Sequence, residues 1–318
     1  MDEKKFDDYK KELNYYLNGC VADKELERAV EAELNKTGIY YRIFARTKAP
    51  QSAAKKLINK REKYLERGKG MQDIIGVRIV LYYQDDIEIV QNILIRKYNL
   101  LREDSEIDIP KESEFAPIRR NLIFKLPNLV EKMIPEQLWE KFDIEKTFEV
   151  QIRTIFSEGW YEVEHDIRYK HEIEWKDQQY YKYSRGLNRI NATLETCDFE
   201  ILREINDLSY DCYKRRKIVE MLRYKFRIRL ENEQISDELL QYIKENDSFF
   251  KNLFRVERGK ILCCISNSDI SIMPKSLNNL IFICNELEIH DSKVSSMMSE
   301  IQSERICRGI QQFARSNM

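Results

Sequence analysis

Glycine and proline are scarce, at 9 and 6 residues in 318. That excludes a linker-rich or collagen-like chain and leaves few breaks in long regular elements. Runs of about 18 apolar residues are missing, so a membrane-spanning helix is not expected. The N-terminus, MDEKKFDDYKKEL, is too charged for the apolar core of a signal peptide, and a cytoplasmic location follows as the expectation. Cysteine is odd in number at seven. Cys263 and Cys264 are adjacent and Cys20, Cys197, Cys212, Cys284 and Cys307 are scattered, which is not metal-ligand spacing and reads as reduced structural thiols. A charge excess of either sign is also missing, since the net charge of −1 argues against a chain coated for DNA. No internal repeat or low-complexity stretch is visible.

What is there is bulky core material and a hidden cluster of charge. The chain is 42% hydrophobic, with 18 Tyr and 14 Phe, and 34% charged, enough for one larger and one smaller packed domain. The sparse breakers favour α/β or α+β with an excess of helix. Residues 41 to 70 hold ten basic side chains, Arg42, Arg46, Lys48, Lys55, Lys56, Lys60, Arg61, Lys63, Arg67 and Lys69, against only Glu62 and Glu66. Such a window is either a solvated basic helix face or the seat of a polyanion.

Along the chain, residues 2 to 35 read as one or two helices and IYYRIFAR (39 to 46) as a strand that delivers Arg46. APQSAAKKLINKREKYL follows with helical spacing, Pro50 near its first turn and Ala53, Leu57 and Tyr64 as core positions. A helix N-terminus after a basic strand end is a natural phosphate site. IIGVRIVLYY (74 to 83), entered through Asp73 and interrupted by Arg78, reads as a buried central strand. Asp85 with Glu88 forms a capping-box pattern for a helix carrying Ile87, Val90, Leu94 and Tyr98. A polar loop, a strand at NLIFKLP (121 to 127) and a helical or irregular insert over 128 to 145 come next.

TFEVQIRT (147 to 154) is the most informative segment. Alternation puts Phe148, Val150 and Ile152 on one face and Glu149, Gln151 and Arg153 on the other, the pattern of a ligand-lined sheet or of a solvent-facing strand. A helix is expected over 155 to 172, with Trp160 and Glu164 on one face and His165 and Tyr169 on the next. From Arg185, the apolar positions Leu187, Ile190, Leu194, Cys197, Ile201, Ile205 and Leu208 predict a long helix whose seam packs on its own chain or on a partner. Residues 215 to 318 read as helices around a small β element at KILCCISN and NLIFIC, with a final helix from Lys293 and no catalytic signal.

In order, RTKAPQSAAKK, QDIIGVRIVLYY and FEVQIRTIFSEGWYEVEHDIRYK resemble the synthetase domain of the RelA/SpoT alarmone synthetases over roughly residues 40 to 172. The resemblance implies a nucleotidyltransferase-like mixed β-sheet flanked by helices, at residues 39–184. It leaves residues 1–38 as an N-terminal helical segment and 185–318 as a mainly helical regulatory or interaction region. It implies a Mg²⁺-dependent pyrophosphokinase that moves the β,γ-diphosphate of ATP to the 3′-hydroxyl of GTP or GDP. Arg46, Lys48, Ser52 and Lys56 match the phosphate motif R-x-K-x-x-x-S-x-x-x-K. Asp73, from D-x-x-G-x-R, is implied as metal ligand, and Glu149, from E-x-Q-x-R-T, as helper to the metal or acceptor of the hydroxyl proton. Arg78, Gln151 and Arg153 are implied in phosphate contact and positioning, while Trp160, Glu164, His165, Tyr169 and Lys170 support the site from behind. Fixed cations suit a transition state rich in charge, and Mg²⁺ takes one or two carboxylates along with phosphates. Asp73 alone would read as a turn residue and His165 as a structural histidine.

The pattern departs from the family in the acceptor loop, where Gly-Tyr-x-x-x-His is expected and FAPIRRNLIFKLP stands. Pro117 then falls at the Tyr and Asn121 at the His, with Phe115 as the alternative stacking residue and Arg119, Arg120 and Lys125 as added cations. Three readings stay open: a guanosine alarmone synthetase of the stringent response, a toxin-like (toxin–antitoxin or antiphage) enzyme using adenine nucleotides or the tRNA 3′ end, and an inactive nucleotide sensor. The hydrolase half of long family members is not expected, since only His165, His171 and His290 are available. A homo-oligomer or a protein partner acting through 185–318 fits equally.

Overall fold

The computed structural model describes residues 3–108, 120–169, 175, 177–266 and 269–316. These fall into two compact units that interleave along the chain: residues 1–31, 41–81 and 94–194 form one, and residues 32–40, 82–93 and 195–318 the other. No helix among the described residues is long and apolar enough to cross a membrane.

The elements begin with α1 (Glu3–Leu17), α2 (Ala22–Asn35), β1 (Tyr41–Thr47), α3 (Pro50–Asn59), α4 (Arg61–Arg67), β2 (Ile75–Leu81) and α5 (Asp86–Lys97). They continue with β3 (Glu106–Ile107), β4 (Arg120–Lys125), α6 (Asn128–Glu131), α7 (Glu136–Lys141), β5 (Thr147–Thr154) and α8 (Ile155–Tyr169). The five strands form one mixed sheet in the order β1-β2-β5-β4-β3. β2 and β5 are parallel, which requires the long crossover that the intervening helices supply, and every other pair is antiparallel. The expected mixed sheet flanked by helices is therefore present.

The apolar face of β5 anchors the sheet. Phe148, Val150 and Ile152 are buried while Glu149, Gln151 and Arg153 are not, which reproduces the period-two reading. Phe124 of β4 stacks on Phe148 with centroids 5.4 Å apart, and Tyr98 meets both rings edge-on. Burying each of these phenylalanines contributes about 1.5–3 kcal/mol before chain entropy is counted. α1 packs against α3 and α7. The insert over 128 to 145 resolves into α6 and α7, and the polar loop contains the two-residue β3, which pairs with Arg120 and Asn121.

The remaining helices are α9 (Tyr181–Lys214), α10 (Ile218–Phe226), α11 (Asp237–Glu245), α12 (Asp247–Arg255), α13 (Arg258–Ser266), α14 (Leu277–Cys284), α15 (Ser292–Ser296) and α16 (Glu300–Ser316). The small β element expected at KILCCISN and NLIFIC does not appear among the described residues: KILCCIS and NLIFIC are helical, within α13 and α14. Almost every residue of both is buried, so no polar face marks a period, and a short all-apolar run looks the same as strand or helix. Asp85 does not cap α5 as its spacing suggested. It accepts from Arg227 and, at 3.2 Å, from Arg258 Nη1, while Asp86 accepts from Arg258 Nη2 at 2.6 Å. Two buried guanidinium groups claim the carboxylate more strongly than a helix terminus does.

Candidate active site

The site lies on the polar face of the β1-β2-β5 half of the sheet. Beyond the last β1–β2 pair, Thr47↔Ile75, the ladder runs one bond further: Lys48 N–H donates to the Ile74 carbonyl at 2.8 Å. That bond seats Lys48 beside Asp73. On the other side, residues 70–72 lie against 143–147 through Met71 N–H to Asp143 O (2.7 Å), Glu145 N–H to Met71 O (2.9 Å) and Thr147 Oγ1 to Gln72 O (2.9 Å). Gly70 permits this approach, because a Cβ there would sit 2.4 Å from the Asp143 carbonyl oxygen. Asp73 is thus fixed from both sides before its own side chain acts.

Its carboxylate is then gripped by two ammonium groups. Lys56, in the last turn of α3, donates to Asp73 Oδ2 at 2.6 Å, and Lys48 donates to the same oxygen at 2.9 Å. Burial disfavours the charged form of Asp73, but the charges and hydrogen bonds of Lys48 and Lys56 outweigh it and hold its pKa below the ordinary value. Oδ1 is buried with no hydrogen-bond partner among the described residues. Glu149 goes the other way. Burial first, and then the negative charge of Asp73, push its pKa up, against the opposing pull of Lys56, Lys48 and the hydrogen bond from Gln151 Nε2 (3.1 Å).

Register sets the rest. Arg46, Gly76 and Glu149 form one row across three strands, and Phe44, Arg78, Gln151 and Asn121 the next. Gly76 leaves the floor open between Arg46 and Glu149, since a Cβ there meets nothing within 4 Å. The result is a pocket of about 240 Å³ lined by Phe44, Ala45, Arg46, Lys48, Asp73, Gly76, Val77, Arg78, Glu149 and Gln151.

A carboxylate from α8 orders the far rim. Thr154 ends β5 and caps α8 at once: Thr154 N–H donates to Ser157 Oγ (2.9 Å) and Ser157 N–H to Thr154 Oγ1 (3.1 Å), a reciprocal capping box. The immediate start of the helix brings Glu158 back over the strands. Glu158 accepts from Arg78 through Oε1 and from Arg153 through Oε2 at 3.0 Å, and Arg78 also donates to Glu162. The Arg153 guanidinium stacks on the Tyr161 ring, 3.8 Å from its centroid.

Of the residues singled out in the sequence, Arg46, Lys48, Asp73, Arg78, Glu149 and Gln151 line one pocket, with Lys56 bonded to Asp73. Ser52 is exposed on α3 and is not among the lining residues. Arg153 is turned to Glu158 and Tyr161. Asn121 shares the row of Gln151, and Lys125 is exposed at the end of β4. Phe115, Pro117, Arg119 and Lys170 lie outside the described residues, as does the side chain of Tyr169. Trp160 is buried on α8, Glu164 pairs with Arg168 at 3.0 Å, and His165 is exposed. Sequence reading missed Gly70, Glu158 and Tyr161. The T-x-x-S of Thr154 and Ser157 was the signal for an early helix start that would have pointed to Glu158.

Comparison with known proteins bears on this same segment. Residues 45–174 match the model of the region found in RelA / SpoT proteins. Among solved structures, the chain is similar to the small alarmone synthetase 1 from Bacillus subtilis bound to its product pppGpp, at 22% identity over 60% of this chain and 95% of that one, with a TM-score of 0.43. It is similar to smu.1046c from Streptococcus mutans UA159 at 22% identity (61% and 95% covered, TM-score 0.41). A GTP pyrophosphokinase family protein from Streptococcus pneumoniae matches at 21% (64% and 90%, TM-score 0.36). No curated protein matches the sequence. Through residues 45–174, which hold Arg46, Lys48, Lys56, Asp73, Glu149 and Arg153 alike, the chain carries the region found in RelA / SpoT proteins.

Proposed function

We propose that this protein is an ATP-dependent pyrophosphokinase that transfers the β,γ-diphosphate of ATP to a nucleotide 3′-hydroxyl, with GTP or GDP as acceptor and AMP as the leaving product. The observation that carries the reading is the Asp73 carboxylate, half-buried, gripped by Lys48 and Lys56 on one oxygen and sharing a pocket with Glu149. Two coupled carboxylates among fixed cations suit a reaction in which negative charge moves along a polyphosphate.

In this reading Arg46, Lys48 and Lys56 bind the phosphates, and the open floor at Gly76 admits them to the sheet. The acceptor 3′-oxygen forms a bond to the β-phosphorus, the bond from that phosphorus to the α,β-bridging oxygen breaks, and the electron pair leaves on AMP. Glu149 takes the hydroxyl proton. Burial and the charge of Asp73 raise its pKa, which makes it a stronger base than an ordinary carboxylate. The donor set also fits Mg²⁺. Asp73 Oδ1, buried without a protein partner among the described residues, and Glu149 are hard oxygen donors, and they would hold the ion together with phosphate oxygens. When bound, Mg²⁺ supplies neutralisation of the phosphate charge. Glu158 keeps Arg78 and Arg153 in place at the rim.

The test is incubation of the protein with Mg²⁺ and ATP labelled at the γ-phosphate, in parallel with GTP, GDP, no second nucleotide or deacylated tRNA, followed by chromatography of labelled products. Label on GTP or GDP with release of AMP is the expected result. Label on adenine nucleotide or tRNA would keep the reaction and replace the acceptor, and release of free phosphate alone would overturn the reading.

A further inference from the structure

The unit that holds the C-terminal helices carries a cluster of charge that the proposed reaction does not use. Residues 211–229 have eight basic side chains against Asp211 and Glu220, in a chain whose net charge is −1. Four of the eight are consecutive, Lys214, Arg215, Arg216 and Lys217, and all four are exposed where α9 gives way to α10. The two arginines are committed within the fold. Arg215 pairs with Asp211 at 2.8 Å, while Arg216 pairs with Asp247 and donates to the Lys244 carbonyl at 2.8 Å. Lys214, Lys217 and Lys225 make no ion pair among the described residues.

Aromatic rings stand beside these cations. Tyr213 stacks on Phe254 of α12 with centroids 4.5 Å apart and planes at 21°, and Tyr210 lies 6.2 Å from Tyr213 at 19°. Tyr213 also meets the buried Phe250, so its ring serves to pack α9 on α12. Packing does not account for Tyr210, which is 49% exposed. Lys214 Nζ rests 4.8 Å from the Tyr210 centroid, and Lys225 Nζ 5.4 Å from the Phe254 centroid. Lys251, exposed on α12, precedes Phe254 by three residues and shares its side of the helix.

Cations without carboxylate partners attract phosphates, and near-parallel rings offer their faces to bases. A single-stranded polynucleotide presents both at a regular repeat. A duplex hides its base faces in its own stack, and an acidic protein would engage the lysines without using the rings. RNA is the polymer commonly recognised in unpaired loops and ends, where its bases stack on aromatic side chains. In the free protein the lysines lie against the rings by cation–π attraction, a weak hold that a phosphate can displace.

We propose that the surface formed by Tyr210, Phe254, Lys214, Lys225 and Lys251 binds single-stranded RNA, with Tyr210 as the stacking platform and the lysines as phosphate contacts. It lies outside residues 45–174, and the binding does not depend on the pyrophosphokinase reading.

The experiment is fluorescence anisotropy on the full chain with three labelled probes: an oligouridylate of about 12 nucleotides, the same strand annealed to oligoadenylate, and heparin, a polyanion without bases. The single strand should bind more tightly than the duplex. Tyr210→Ala should weaken it about tenfold, and Tyr210→Trp should restore it. Lys214→Gln and Lys251→Gln should each lower the slope of log affinity against log salt by about 0.7, the loss of one phosphate contact. Unchanged affinity in Tyr210→Ala, or equal affinity for strand and duplex, would overturn the platform and leave a plain polyanion surface. Heparin binding with neither nucleic acid bound would overturn it in favour of an acidic protein or sugar, and no binding of the single strand at low salt would overturn it outright.

Discussion

Lys56 Nζ donates to Asp73 Oδ2 at 2.6 Å, tying the last turn of α3 to the residue that leads into β2. Lys48 reaches the same oxygen, so one carboxylate oxygen fixes two cations while the other keeps no protein partner among the described residues. The arrangement is asymmetric: two ammonium groups share Oδ2, and the described residues leave Oδ1 unmet.

Asp73→Asn should therefore remove transfer without removing the fold. We expect kcat/KM to fall by at least about 10²–10³-fold. Stability should fall by about 1–2 kcal/mol, because the lysines it leaves unpaired are mostly shielded from solvent, as are the partners of Glu158. Steady-state assays beside urea denaturation check both, and turnover close to wild type would refute the role given to Asp73.

Glu158 acts through the guanidinium groups it holds. Glu158→Gln should loosen Arg78 and Arg153 together, lowering kcat/KM about tenfold and stability by about 1–2 kcal/mol, discounted from the cost of a fully buried pair. Thr154→Ala, which removes the cap that starts α8, should cost about 1 kcal/mol and reproduce part of the kinetic loss. An active Glu158→Gln enzyme with unchanged stability would show that the two arginines need no tether.

Gly70→Ala probes the backbone contact that seats Asp73. Its Cβ would fall 2.4 Å from the Asp143 carbonyl oxygen, a backbone atom with no free rotation to relieve the clash. The expected cost is about 2–3 kcal/mol of stability, with activity reduced beyond what unfolding explains. Gly76→Ala is the control: its Cβ meets nothing within 4 Å, so stability should hold while phosphate binding weakens.

Tyr64 gives a pH signature. Burial first, and then the charge of Asp73, push its phenol up to about 12. Its hydroxyl is buried without a hydrogen-bond partner among the described residues. The folded chain keeps this proton where the unfolded chain loses it, so the contribution is complete below pH 10 and is lost as pH rises toward about 12. Tyr64→Phe should flatten the decline of stability across that window and raise stability at pH 7 by about 1 kcal/mol, the relief of an unpaired buried donor. Denaturant midpoints from pH 8 to 12 measure it, and an unaltered slope would refute the assignment.

Much of the site was legible in the chain. The period-two pattern of TFEVQIRT separated Phe148, Val150 and Ile152 from Glu149, Gln151 and Arg153, and Arg46, Lys48, Asp73, Arg78, Glu149 and Gln151, singled out in the sequence, line the pocket together with Phe44, Ala45, Gly76 and Val77, which were not. What misled was local ambiguity. KILCCISN and NLIFIC each centre on an unbroken apolar run, ILCCI and LIFIC, and a helix turn buried on all sides has no polar stripe to betray its period. Asp85 had the spacing of a cap, but spacing says nothing of the two arginines more than a hundred residues away that bind it.

The sequence by itself determined which residues could do chemistry, because residue type, alternation and motif order are local properties written along the chain. Tertiary structure alone decided how they are used. Strand register put Arg46, Gly76 and Glu149 in one row and Phe44, Arg78 and Gln151 in the next. The close approach at Gly70 and the capped start of α8 brought Asp73 to its lysines and Glu158 to its arginines. These are pairings between segments far apart in the chain, set by the packing of the sheet, and no local pattern encodes which cation meets which carboxylate.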